Sequence, residues 1–366
     1  MRKLIFTVLT VSILFSAPRR FLKYIKTIYL KGSSENIRLL CDAKYDEGYF
    51  YILDPASQYK LKIYDVSGKF IKEMARKGSG PGEFLEPIGF GIYKDRMVIA
   101  EKRTFDYVIL DKKTLQNVYK KFTNFKMGFC NVDLILTENK LITSDWYIRF
   151  LTTGKDETFH GVVYDLVKGK KKLLWKNIYW KTTKKALTNS KIDVAPDGKI
   201  YMVYNQPLIL RVYSENGRPL MEKEIDIENY IYPTRVEIES FHHFLKSWDH
   251  KDKENYLNYI QNWVERYSWL QKVVVKNKYI FIFFRNYDED IDGWKLWYAV
   301  VDRKGNLVRK ETPLRSRLAG GDFWIDAITP AIRIFYSPDK KFLYIARQKD
   351  DEEEDISIEV YRFIVK

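Results

Sequence analysis

Across 366 residues, 63 Lys and Arg stand against 48 Asp and Glu, for a formal charge of +15, while hydrophobic residues make up 46% and aromatics 16%. The apolar share excludes a disordered chain, and two cysteines exclude a disulfide-built scaffold. The basic residues are scattered over turn and outward strand positions rather than gathered in a stripe, which argues against a nucleic-acid partner.

The chain opens with Met1-Arg2-Lys3, an apolar run from Leu4 to Phe15, and Ser16-Ala17. These are the basic and apolar regions of an export signal, so residues 1–17 are read as a signal peptide or an N-terminal anchor. The protein is then expected in the periplasm, at the cell surface or outside the cell. Phe15 is bulky where a cleavage site wants a small residue, and Pro18 follows Ala17 directly. An uncleaved segment therefore stays open, and it is the only expected membrane contact.

A phrase then returns along the chain: an apolar run, Asp or Ser, and a tight turn with Gly or a basic residue. It reads Lys62-Ile63-Tyr64-Asp65-Val66-Ser67-Gly68-Lys69 first, and recurs at Val108–Thr114, Val162–Lys170, Arg211–Arg218 and Val300–Asn306. The copies are spaced by about 50 residues, once by about 90, and a propeller blade of four strands needs about 40–50. Each copy predicts a β-hairpin, because β-branched and aromatic runs end in residues that accept a tight turn.

Naming the strands of a blade A to D from the inside outward, blade one is predicted as Ile37 to Ala43, Tyr49 to Leu53, Tyr59 to Tyr64 and Phe70 to Met74. Blade two runs from about Ile88 to Phe122, blade three from Asn131 to Trp175, blade four from Lys191 to Ile225, and blade five from Leu270 to Thr312. Blade six has only three strands, at Ala331 to Tyr336, Phe342 to Ala346 and Ile356 to Phe363. Tyr24 to Leu30 can supply the fourth and close the ring, which removes a sheet edge. The prediction is an all-β, six-bladed propeller of four-stranded antiparallel blades over residues 21–366, expected to be monomeric. Between blades four and five, Phe241, Phe244, Leu245 and Trp248, then Tyr256, Ile260, Trp263, Val264 and Tyr267, recur at helical spacing. A helical insertion is predicted over 236–267. Cys41 and Cys130 fall in blades one and three and are expected not to be bonded to each other.

Between blades one and two stands Gly78-Ser79-Gly80-Pro81-Gly82-Glu83-Phe84. It resembles the G-x-G-P-G-E-F phrase of NHL-like and TolB-like bacterial six-bladed propellers. That resemblance implies a secreted or cell-surface propeller. The residues themselves suggest a structural blade-linking motif. Gly78, Gly80 and Gly82 relax the backbone, Pro81 stiffens the crossing, Glu83 can accept loop amides and Phe84 can plug the adjoining core.

No catalytic residue is identified. His160, His242, His243 and His250 lack zinc-protease spacing, and no G-x-S-x-G elbow is present. Two acidic runs, Asp288-Glu289-Asp290-Ile291-Asp292 and Asp350 to Asp355, fall between strands B and C of blades five and six. No cofactor is expected unless these loops retain calcium.

In a propeller, D-to-A and B-to-C connections open on one face, and A-to-B and C-to-D turns on the other. The helical insertion, the acidic runs and the stretch Ser144 to Phe159 all belong to the first face. The candidate binding residues are thus Asp288, Asp290, Asp292, Trp248 and Trp263. The leading expectation is an exported, non-enzymatic propeller that recognises a protein, peptide or glycan there. The alternative is a metal-assisted hydrolase or lyase, lactonase-like, with carboxylates around the central tunnel.

Overall fold

The computed structural model describes residues 21–32, 37–57, 60–80, 82–104, 106–116, 120–123, 133–149, 157–176, 190–205, 207–247, 253–291, 293–319, 332–348 and 356–365. Six antiparallel four-stranded sheets form the six blades of a propeller. From A to D they are Asp42–Asp46, Tyr49–Asp54, Lys60–Asp65 and Phe70–Met74 in blade one; Pro87–Tyr93, Arg96–Glu101, Asp106–Asp111 and Lys120–Thr123 in blade two; and Leu134–Leu136, Lys140–Arg149, Glu157–Asp165 and Lys170–Lys176 in blade three. Blade four comprises Ser190–Val194, Ile200–Asn205, Leu208–Tyr213 and Pro219–Glu224, and blade five Trp269–Lys276, Tyr279–Asp288, Gly293–Asp302 and Leu307–Ala319. Blade six is Ile332–Tyr336, Phe342–Arg347 and Ser357–Phe363, completed by the N-terminal strand Leu22–Tyr29.

That N-terminal strand closes the ring. Leu22 lies opposite Phe363 and Tyr29 opposite Ser357 in an antiparallel ladder. Phe21 anchors its start, with its ring 5.2 Å from Tyr279 of blade five, and its carbonyl accepts the Ile364 amide at 3.0 Å. Beyond the strand, the Lys31 amide donates to Gly68 of blade one at 2.8 Å. Gly68 has φ +90°, and a Cβ there would stand 2.2 Å from the Tyr29 carbonyl oxygen. Only glycine tolerates both the turn and this approach.

The recurring Asp of the sequence phrase caps the C-to-D turn of blades one, two, three and five, and Ser214 takes its place in blade four. Asp65 Oδ1 accepts the Ser67 and Lys69 amides at 2.8 and 3.1 Å, Asp111 Oδ1 those of Lys113 and Thr114 at 3.0 and 2.9 Å, and Asp302 Oδ1 those of Lys304 and Asn306 at 2.8 and 2.9 Å. A short carboxylate reaching amides two to four residues on is what makes Asp a turn former. The Ser67 hydroxyl at Asp65, and the Thr114 hydroxyl at Asp111, hold these carboxyls below their ordinary range.

Strand A of blade one begins at Asp42, not near Ile37 as the pattern suggests. The amides of Arg38 and Leu39 are taken by the Asp54 carboxylate at 3.0 and 3.1 Å, and that of Leu40 by the Gln348 side chain at 2.9 Å. With its donors already satisfied by side chains, this stretch does not enter the ladder. Blade five also differs, since its D strand runs past Thr312 to Ala319 across three register shifts. Cys41 is buried and its thiol donates to the Ile88 carbonyl at 3.4 Å; Cys130 lies outside the described residues.

Candidate functional site

The six A strands surround the axis, and charged side chains are buried among them. Asp42 Oδ2 accepts the Phe90 amide at 3.0 Å, Asp133 Oδ2 the Ile192 amide at 2.9 Å, and Asp193 Oδ2 the Val275 amide at 2.6 Å. Each carboxylate thus reaches from one blade to the inner strand of the next. The innermost strand of a blade has a bare ladder edge, and these carboxylates satisfy its buried donors. Between blades six and one the device is inverted, with Arg333 Nε donating to the Cys41 carbonyl.

Cations complete the cluster. Lys272 pairs with Asp133, and Lys44 with Asp42 at 2.8 Å. Lys340 Nζ is 2.5 Å from Asp193 and also donates to the carbonyls of Val194 and Val275, both at 3.0 Å. The Tyr336 hydroxyl donates to Asp193 Oδ1 at 2.5 Å. The three axial carboxylates therefore act as ties between blades. Among the described residues, no three His, Cys, Asp or Glu side chains converge to hold a metal ion.

Lys191 is fully buried in the same cluster. Burial pushes its amine down to about 7, opposed by Asp133 and reinforced by the like charges of Lys272 and Arg333. The folded state therefore resists protonating this amine. As pH falls from about 10.5 to about 7 the unfolded chain takes up a proton that the folded chain does not, so stability declines over that window. Lys191→Met is expected to stabilise the protein by about 1–3 kcal/mol at pH 6, with the advantage shrinking toward pH 10. Urea titrations at both pH values measure it; a pH-independent loss of stability would contradict the reading.

The loop-bearing face is organised around blade five. Strands B and C pair as far as Asp288 and Gly293 and form a hairpin closed by a single 3-10 turn, Glu289–Ile291. Asp288 accepts the Asp290 amide at 3.1 Å and Lys295 Nζ at 3.2 Å, and Asp290 is exposed. Arg285 lies over the Trp294 ring at 4.3 Å, with Tyr287 packed edge-on to that ring at 5.7 Å. Asp292, Trp248 and the acidic run 350–355 lie outside the described residues.

Two helices, α1 (Arg235–Ser247) and α2 (Lys253–Glu265), stand between blades four and five. A capping box starts α1: Thr234 Oγ1 accepts the Glu237 amide at 3.3 Å, and Glu237 Oε2 accepts the Thr234 amide at 2.8 Å. Phe241 stacks on Trp263 at 4.3 Å, and Trp263 meets Tyr267 at 4.7 Å. Trp263, a candidate contact residue in the sequence, is only 5% exposed. It packs α1 against α2.

What joins the helices to the hairpin was not foreseen. The Ser268 hydroxyl donates to Asn286 Oδ1 at 2.6 Å and accepts the Ile231 amide at 2.7 Å, while Asn286 Nδ2 donates to the Asn229 carbonyl at 2.7 Å. Both ends of the helical segment are tied to the base of the acidic hairpin. Asn286→Ala removes two of these bonds and should lower stability by about 1–2 kcal/mol. Urea titration checks the size, and hydrogen exchange should show the loosening at Ile231 and Ser268 first; unchanged exchange there would refute the tie.

The glycine-rich motif stands between the last strand of blade one and the first of blade two. Glu83 accepts the Gly80 amide at 3.0 Å and Arg76 Nε at 2.7 Å, and the amide bond is the main reason its carboxyl titrates low. A Cβ on Gly78 would stand 2.0 Å from Glu83 Oε2. Phe84 is buried in the core shared by blades one and two; Pro81 lies outside the described residues.

No family model matches this sequence, and no curated relative matches it. Solved structures do. A Bacteroides fragilis protein named as exported aligns over 94% of this chain and 96% of its own, with 12% identity and a TM-score of 0.56. A Dyadobacter fermentans protein of unknown function aligns over 94% and 99%, with 7% identity and a TM-score of 0.53. At these identities the likeness is one of fold, and it extends over nearly the whole of each chain.

Proposed function

We propose that this chain is an exported, non-enzymatic binding propeller, of the NHL-like or TolB-like kind, that recognises a protein, peptide or glycan on its loop-bearing face. The observation that carries the reading is the junction at Asn286, where the helical segment and the acidic hairpin are fixed to one another on the same face. Loops held by a rigid scaffold are where recognition is usually built. The axial carboxylates are engaged in joining blades, which supports binding over hydrolysis. Export rests on the Arg2-Lys3 and Leu4 to Phe15 sequence.

The test is a screen of the protein on peptide and glycan arrays, followed by titration of a retained ligand. Asp288→Asn with Asp290→Asn should weaken binding at least about tenfold, a loss of about 1.4 kcal/mol, with the melting temperature held. Unchanged affinity in that variant, or turnover of a lactone or ester by the wild-type chain, would overturn the proposal.

A further inference from the structure

The face opposite the loops is made of short turns that interlock around the ring. Lys112 of one C-to-D turn pairs with Asp46 and Glu47 of the preceding A-to-B turn at 2.6 and 2.8 Å, and Arg303 pairs with Asp197 at 2.9 Å in the same manner. From this ring aliphatic side chains project beside cations: Val167 beside Lys168, Leu220 beside Arg218, and Leu307 beside Lys304, all exposed. Val167 is 73% exposed at the tip of its turn. Where the ring closes, exposed Ile364 follows Phe363, whose amide donates to the carbonyl of Lys341.

The aspartates that open these turns are held by their own backbone. Asp165 Oδ1 accepts the amides of Val167 and Lys168 at 3.0 and 2.8 Å, and Asp302 Oδ1 accepts two amides of its own turn. The exposed Glu47, Glu138 and Glu215 of the same face are paired with Lys112, Lys94 and Lys140, while Lys168, Arg218 and Lys304 are exposed at its turns. Large apolar side chains exposed among cations match an interface between water, hydrocarbon and anionic headgroups.

Chain direction points the same way. Phe21, the first described residue, packs on Tyr279 immediately after an A-to-B turn, so the chain joins the propeller at this face. Five residues, Ser16 to Arg20, separate Phe21 from the end of the apolar run at Phe15, a reach of at most about 20 Å. Arg19 and Arg20 lie within that stretch. Whatever part of the run stays attached leaves the propeller from the face that carries the aliphatic tips.

We infer that the turn face docks on an anionic phospholipid surface, which would turn the loop-bearing face away from the bilayer. The test is co-sedimentation of the full chain with vesicles of phosphatidylglycerol and phosphatidylcholine, against vesicles of phosphatidylcholine alone. The full chain should partition more strongly onto the anionic vesicles, and the difference should fall as salt rises. A cation near such a surface contributes a factor of about five, so Lys168→Glu with Arg218→Glu and Lys304→Glu should weaken partitioning at least about a hundredfold. Val167→Ser with Leu220→Ser and Leu307→Ser should weaken it on the same vesicles, and Lys77→Glu with Arg266→Glu and Lys310→Glu, an equal charge change elsewhere, should leave it nearly unchanged. Should the triple Glu variant fail to fold, the corresponding Gln variant gives the same comparison. Equal partitioning onto neutral vesicles, equal loss in both charge variants, or retention on soluble polyphosphate without retention on vesicles would each overturn the inference.

Discussion

Removal of residues 21–30 should abolish cooperative folding of this propeller. The segment carries Phe21, Leu22, Ile28 and Leu30, all buried, together with the full ladder to Ser357–Phe363. At about 1.5–3 kcal/mol for each large apolar side chain, the loss approaches or exceeds the roughly 5–15 kcal/mol that stabilises a typical domain. Deletion also bares the edge of blade six and removes Ile28 and Tyr29, which lie against the Gly68 turn. Thermal unfolding of the truncated chain should show no cooperative transition near that of the full chain. Adding a synthetic peptide of residues 21–32 should restore one. An unchanged melting temperature after truncation would mean that the ring does not close through this strand.

The second large effect is expected at Asp193. Its carboxylate accepts the Val275 amide, Lys340 Nζ and the Tyr336 hydroxyl, so it ties blade four to blades five and six from the axis. Asp193→Ala leaves a partly buried cation, a partly buried hydroxyl and a buried amide without this acceptor, and the expected loss is about 2–4 kcal/mol. Asp193→Asn keeps an acceptor of similar shape and should recover part of it. Guanidinium titrations of the three proteins give the ordering. An alanine variant as stable as the wild type would show that the axial ties are dispensable.

The hairpin architecture was readable because its determinants are local. An Asp before a tight turn, as at Asp65 and Asp302, encodes its own cap within four residues. The missing outer strand of blade six was likewise visible as a shortfall at one end and a strand-like run at the other. The displaced start of blade one was not visible. It depends on Asp54 and Gln348 capturing amides of residues far from them in sequence.

The axial cluster was missed for a related reason. Lys191, Asp193 and Lys272 are single charges inside short apolar strands, and such charges read as solvent-facing positions. A signal existed nonetheless, since blade four is predicted to open at Lys191, which puts Lys191-Ile192-Asp193 in an innermost strand, where both faces lie close to protein. The capping box from Thr234 to Glu237 was also present in the sequence and fixes where α1 starts. At the candidate face, Asp288 and Asp290 sit where the repeat placed them, whereas Trp263 does not face outward. Helical spacing shows that aromatic residues share a stripe, but not whether the stripe meets solvent or a second helix.

The measurement that bears most directly on recognition at the loop-bearing face is a hydrogen-exchange footprint, taken with and without a peptide or glycan retained on the arrays. The account predicts slowed exchange in the hairpin from Asn286 to Trp294 and in the flanks of the helical segment near Ile231 and Ser268, with the amides of the turns at Ser67–Lys69 and Arg303–Asn306 unchanged. Protection confined to those turns, or to the axial strands, would contradict it.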